Sequence, residues 1–273
     1  MNMDTAKLGF IGAGNMASAL INGILQSKLI PAEHIFVSDV NSLRLDLLRK
    51  TGINIMKDNT NVYRNSDIII LAVKPNVYSL VLKELALLDG IDRKIIVSIA
   101  PGISIKYIKS FFNHDMKVIR TMPNTPAQIG EGMTVICYEA PVSEQEYQMV
   151  RNIFSSVGQV EFIDEKYLNA AVAVNGSSPA YVYMMIEAMA DAAVLRGIPR
   201  DSAYRLAAQS VAGAAKMVLE TGKHPGELKD MVCSPGGTTI QAVYQLEKSG
   251  FRAALMDAME RCTDKAEKMS SSS

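Results

Sequence analysis

The sequence predicts an α/β protein whose doubly wound, mostly parallel sheet is followed by an all-helical region. Over the first ~160 residues short apolar runs alternate with amphipathic segments, as strands and helices do when they take turns. Near Glu165 the strands stop, and apolar residues recur at near-helical spacing from there on. The chain's 273 residues suffice for two ordinary domains with a substantial core.

Candidate strands cover 7–12, 34–38, 53–56, 67–73, 94–98, 117–121, 133–137 and 159–163. Most are unbroken blocks of Ile and Val, which suit strands covered on both faces by helices. From Lys166 to about Arg196, Leu168, Val172, Val182, Met185, Ile186, Met189 and Ala193 predict one long helix, stopped by Gly197 and Pro199. Further helices are expected at 200–220, at 237–248 and from Arg252 onward, with a frayed tail at 269–273. These Ala- and Met-rich helices are apolar around too much of their circumference to face water. Packing on a second copy would solve this, and so would a compact monomeric bundle. The expected domains are 1–164, with alternating strands and helices, and 165–273, all helical.

Composition narrows the function. Lys plus Arg and Asp plus Glu both number 28, and no dense basic run occurs, so nucleic acid and membrane surfaces are not expected partners. Cys137, Cys233 and Cys262 are odd in number and lack CxxC spacing, which suits free thiols in a reducing compartment. His34, His114 and His224 are too scattered to suggest a metal site. With no secretory signal and no long apolar stretch, a cytoplasmic location is expected.

The segment Lys7-Leu8-Gly9-Phe10-Ile11-Gly12-Ala13-Gly14-Asn15-Met16-Ala17 reads as strand, glycine turn and helix start. Gly12, Gly14 and Ala17 form G-x-G-x-x-A. The first glycine permits the sharp turn, the second lets backbone approach a pyrophosphate, and Ala17 keeps the helix close to the sheet. This predicts a Rossmann-like dinucleotide site. Ser38 and Asp39 end the second strand, where the adenosine ribose is read. An acid there accepts from a 2′-hydroxyl and repels a 2′-phosphate, favouring NADH, while Asp39 as a helix N-cap is the rival reading and use of both cofactors stays open. The turns Ala72-Val73-Lys74-Pro75 and Ser98-Ile99-Ala100-Pro101-Gly102 also lie at strand ends that should face the cofactor. Lys74 is either a phosphate or carboxylate contact or an ordinary surface lysine.

A second ligand turn is Cys233-Ser234-Pro235-Gly236-Gly237-Thr238-Thr239, which opens a helix. Its backbone N–H groups, with the hydroxyls of Ser234, Thr238 and Thr239, suit a carboxylate; helix capping by those hydroxyls is the alternative.

Several motifs, in order, resemble the pyrroline-5-carboxylate reductases. They are the 72–75 turn, Met122-Pro123-Asn124-Thr125-Pro126, Asn175-Gly176-Ser177-Ser178-Pro179-Ala180-Tyr181-Val182, His224-Pro225-Gly226 and Ser234-Pro235-Gly236-Gly237-Thr238-Thr239. Ser178 departs from a glycine common in that family, and Asp39 from the non-acidic residue usual in its NADPH-using members. The resemblance implies hydride transfer from NADPH or NADH to 1-pyrroline-5-carboxylate, giving proline in the last step of its biosynthesis, by a homodimer that sometimes builds decamers. It places Gly12, Gly14, Asn15 and Met16 at the pyrophosphate, and Asn59 with Ala72, Val73, Lys74 and Pro75 along the cofactor. Ser234, Gly236, Gly237, Thr238 and Thr239 would hold the substrate, with Thr239 near the imine nitrogen. Rival readings are a hydroxyacid or sugar-acid dehydrogenase, which would want an acid–base Lys or His, and a dinucleotide sensor, which would need no anion turn.

Overall fold

The computed structural model describes residues 5–271. Its strands are β1 (Leu8–Ile11), β2 (Ile35–Ser38), β3 (Asn54–Ile55), β4 (Ile68–Leu71), β5 (Ile95–Ser98), β6 (Lys117–Met122), β7 (Gly132–Tyr138) and β8 (Gly158–Phe162). They form one eight-stranded sheet in the order β3-β2-β1-β4-β5-β6-β7-β8. The pair β6–β7 is antiparallel, and the rest of the ladder is parallel. The helices are α1 (Asn15–Gln26), α2 (Ser42–Arg49), α3 (Asn59–Asn65), α4 (Tyr78–Ala86), α5 (Ile105–Lys109), α6 (Glu144–Ser155), α7 (Leu168–Ala171), α8 (Ser178–Leu195), α9 (Arg200–Thr221), α10 (Pro225–Val232), α11 (Thr238–Lys248) and α12 (Phe251–Ser271).

The Ile/Val blocks fill two cores, one on each sheet face. Successive strand residues point to opposite sides, so Ile68, Ile70, Ile95 and Val97 join α1 and α6 on one side. Ile69, Leu71 and Ile96 join Val62, Leu82, Leu85 and Ile108 of α3, α4 and α5 on the other. Both faces are thus covered, as the sequence predicts. Cys137 lies in the second core, and burial pushes its thiol up to about 12, consistent with an inert side chain.

The long helix expected over 166–196 is broken. A 3₁₀ turn at Glu165–Tyr167 leads into α7, a π turn follows at Val172–Gly176, and α8 restarts at Ser178. Two causes coincide here. Pro179 has no N–H to continue a helical ladder, and the Asn175 side chain is drawn into the sheet, donating to the carbonyls of Met122 at 2.7 Å and Met133 at 3.2 Å. The helix α10 was not expected; Pro225 opens it, with the His224 ring accepting from Gly226 N–H. Nor is the stretch 269–271 frayed: α12 continues to Ser271 and the Ser270 hydroxyl donates to Asn169 at 3.0 Å. The remainder of that expectation, Ser272 and Ser273, lies outside the described residues.

The chain forms two compact units, Met1–Ser177 with Cys262–Ser273, and Ser178–Arg261. The expected boundary at 164/165 falls inside the first unit's residues, and the last turns of α12 return to that unit. Met269 packs on Gly102, and Cys262 contacts the Ser177 hydroxyl. In the helical unit the buried hydrophobic residues among those described are Ala190, Ala203 and Ala207, while Tyr183, Met184, Leu206, Leu219, Tyr244 and Met256 are exposed.

A buried cation fixes the 165–169 segment. Arg120, on β6 and 2% exposed, donates to Glu165 at 3.0 Å and to Asn169 at 3.3 Å. Glu165 also accepts from Ile105 N–H at the start of α5. Removing the carboxylate would leave Arg120 a buried, unpaired charge. Glu165→Ala is expected to lower unfolding free energy by about 3 kcal/mol or more. Glu165→Gln, which keeps an acceptor, is expected to lose less. Urea unfolding at one fixed protein concentration reads both; equal losses below 1 kcal/mol would show that the pair is not a structural anchor.

Candidate functional site

The carboxyl ends of β1, β4, β5 and β6 share one edge of the sheet, because these strands run parallel. Chain order reverses between β1 and β4, and a crevice opens at that switch point. Gly12 sits there at φ +103°, hydrogen-bonded to Ser38 O, where a Cβ would lie 2.5 Å from the Ala72 carbonyl oxygen. Only glycine fits both the angle and the space. Gly14 is the N-cap of α1 and offers no side-chain acceptor to the helix's first N–H groups. A Cβ on Gly14 would meet only Arg44, at 4.0 Å, so the backbone there is open to a ligand. Ala17 is wholly buried, as its place in the motif requires.

The crevice has a volume of about 510 Å³. Gly12, Gly14, Asn15, Ser38, Asp39, Asn59, Ala72, Val73 and Lys74 all line it. Met16, Pro75, Ser98 and Ala100 are not among its lining residues. Ser98 is fully buried, and its hydroxyl meets that of Tyr78, whose own hydroxyl donates to Leu71 O; burial pushes the Tyr78 phenol up, so it stays a neutral donor. These two groups lock the ends of β4 and β5 beneath the crevice.

The end of the crevice beside β2 is built by contacts that sequence reasoning missed. Ser38 donates to Asn59 at 2.8 Å, and the Asn59 amide donates to Glu84 at 2.7 Å, bridging β2, α3 and α4. Val77, Leu80, Val81 and Glu84 line the crevice together. Their spacing, i, i+3, i+4 and i+7, is one helix face, a signal available in the sequence once the 72–75 turn is taken to open a helix. Asp39 is not the helix cap: Asn41 caps α2 by accepting from Leu43 and Arg44 N–H. The Asp39 carboxylate instead accepts from Ala13 N–H at 2.6 Å and from Asn41 N–H at 2.7 Å.

Further along the same edge, Asn124 and Asn175 interlock. Asn124 donates to Asn175 O and accepts from Met133 N–H, while Asn175 donates to Met122 O and Met133 O. The Asn175 Oδ1 is buried with no partner among the described residues.

In the helical unit, the 233–239 segment forms a turn closed by Gly237 N–H to Ser234 O, with Gly236 at φ +69°. Gly237, not a serine or threonine, is the N-cap of α11, with no side-chain cap bond. The expected alternative of hydroxyl capping is therefore not what this turn does. Ser234, Gly236 and Thr238 are exposed, and Thr239 is half-buried.

Comparison with known proteins agrees in both units. A family model described as pyrroline-5-carboxylate reductase dimerisation matches residues 165–269. Another, described as NADP oxidoreductase, coenzyme F420-dependent, matches 7–102. A pyrroline-5-carboxylate reductase of Escherichia coli strain K12 is 48% identical, over 97% of this chain and 99% of that protein. One from Methanosarcina acetivorans is 43% identical, over 98% and 99%. The crystal structure of a Plasmodium falciparum pyrroline carboxylate reductase with NADP bound has a TM-score of 0.89 at 34% identity, covering 98% of this chain and 100% of that one. Identity at this level, sustained over nearly the whole of both chains, exceeds what a shared architecture accounts for, and the chain belongs to the pyrroline-5-carboxylate reductase family.

Proposed function

We infer that the chain reduces 1-pyrroline-5-carboxylate to proline with a nicotinamide dinucleotide, NADPH or NADH, held in the crevice of the first unit. The observation that carries this is a pair of glycine-capped helices, α1 at Gly14 and α11 at Gly237, each with no side-chain cap bond at its N-terminus. Uncapped helix N-termini attract anions. The reaction needs two such sites, one for a pyrophosphate and one for a substrate carboxylate.

The crevice fits a dinucleotide. Gly14 N–H and the first turn of α1 would meet the pyrophosphate, Asn59 and Ser38 the ribose, and Val77, Leu80 and Val81 a flat base. The bound nicotinamide supplies a hydride from its C4 to the imine carbon. The chain's own task is to orient the substrate. Its carboxylate would lie against the 234–239 turn, held by backbone N–H groups and the hydroxyls of Ser234 and Thr238. Thr239, half-buried at the head of α11, would hydrogen-bond the ring nitrogen. An iminium that arrives protonated asks for positioning more than for a general acid, and a threonine hydroxyl is too weak an acid to serve as one.

Residues 165–273 are proposed as the dimerisation and substrate part. Three buried alanines are too small a core for the helical unit. Its exposed Tyr183, Met184, Leu206 and Leu219 suit burial against a second copy. Three free cysteines support a cytoplasmic location.

Oxidation of NADPH and NADH with 1-pyrroline-5-carboxylate, with proline confirmed as product, tests the reaction. No turnover by folded protein that still binds dinucleotide would turn the reading toward a hydroxyacid dehydrogenase or a sensor. Thr239→Ala is expected to lower kcat/KM by roughly ten- to a hundredfold, the equivalent of about 1.5–3 kcal/mol for a hydrogen bond to a charged group. An unchanged kcat/KM would remove Thr239 from its proposed role. Met184→Glu with Leu219→Glu is expected to shift the assembly to monomer in light-scattering measurements. A wild-type chain that is already monomeric would refute the dimer.

A further inference from the structure

At the mouth of the crevice three side chains hold one another in place. Asp39 accepts from Asn41 N–H, Asn41 caps α2, and Arg44 stands in the first turn that Asn41 caps. The Arg44 guanidinium turns back over the crevice. Its Nη1 lies 4.0 Å from Asp39 Oδ2 and 4.0 Å from where a Cβ on Gly14 would stand. The two partners differ in what they still offer a ligand. The Asp39 side chain is 8% exposed, and each of its oxygens already accepts a short backbone hydrogen bond. Arg44 is 51% exposed, and 4.0 Å is an ion pair without a hydrogen bond, so its N–H fork stays open toward the crevice.

We propose that Arg44, not Asp39, determines which dinucleotide the crevice takes, by meeting the 2′-phosphate of NADPH. The proposal rests on the dinucleotide reading of the crevice and deepens it. Asp39 is then a positioning residue. Its carboxylate ties the glycine turn at Ala13 to the end of β2, and its charge is offset by the guanidinium beside it. A ribose 2′-hydroxyl finds little free surface on so covered a carboxylate. A phosphate finds a planar, half-exposed cation with donors suited to bidentate contact. An acid at the end of β2 ordinarily signals NADH. Here that signal is cancelled by an arginine one helical turn further on.

The test is binding, read by calorimetry on the whole chain. The probes are NADP⁺, NAD⁺, and the fragments adenosine 2′,5′-bisphosphate and AMP, at low and at physiological salt. The wild type is expected to bind each 2′-phosphorylated probe at least tenfold more tightly than its partner, with the larger salt dependence. Arg44→Gln is expected to cut that ratio about tenfold, and Arg44→Lys to restore part of it. Asp39→Asn is expected to weaken phosphorylated and unphosphorylated probes by similar factors, as loosening of the glycine turn would. An unchanged ratio in Arg44→Gln overturns the proposal. So does an Asp39→Asn variant whose ratio swings further toward the phosphorylated probes than Arg44→Gln swings away. If the folded wild type binds none of the probes, the dinucleotide reading itself falls; if it binds them and Arg44→Gln changes nothing, only the role of Arg44 falls.

Discussion

The site depends on one close approach, that of the Gly12 backbone to the Ala72 carbonyl. A methyl group at Gly12 would stand 2.5 Å from that oxygen, with φ +103° as a second obstacle. With glycine there, the end of β1 can turn beside the end of β4, and the first turn of α1 comes to face the crevice. The Ser98–Tyr78 hydrogen bonds below and the Ser38–Asn59–Glu84 chain beside it hold fixed the two walls that this turn separates. The buried sheet supplies rigidity, and the glycine supplies access.

Much of this was legible in the sequence because it is local. The Ile/Val blocks mark strands buried on both faces; β1 to β5 fall within the predicted segments, and β6, β7 and β8 overrun theirs by one residue at one or both ends. The G-x-G-x-x-A spacing marks the turn and the helix start, and most residues assigned to the cofactor line the crevice. What was not legible arises between segments far apart in the chain. The spacing of Leu168, Val172 and Val182 supports one long helix. It is interrupted because Asn175 finds carbonyl partners on Met122 and Met133, which no local pattern reveals. The face of α4 that closes the crevice was readable in its spacing, yet nothing local says what that face covers.

Asp39 shows the difference most sharply. Its position at the end of β2 suggests a ribose contact, and the helix after it suggests a cap. The fold assigns the cap to Asn41, and the Asp39 carboxylate to the Ala13 N–H, twenty-six residues back. The residue type and its place in the motif are right for a cofactor site. What the carboxylate does there depends on which donors packing brings within reach, and at this position two backbone N–H groups arrive first.

The return of residues 262–271 to the first unit makes the helical unit an insertion, joined to its host at both ends, at 177/178 and at 261/262. A single proteolytic nick inside 178–261 would therefore leave every fragment covalently attached to some part of the host unit. Truncation just before Cys262 would strip the host of the contacts that Met269 makes at Gly102 and Ser270 at Asn169, without touching the insertion's own sequence. To express the units apart, one would excise 178–261 as an internal piece and splice the host across the gap. Cutting at the visible change from strands to helices would instead divide the host itself.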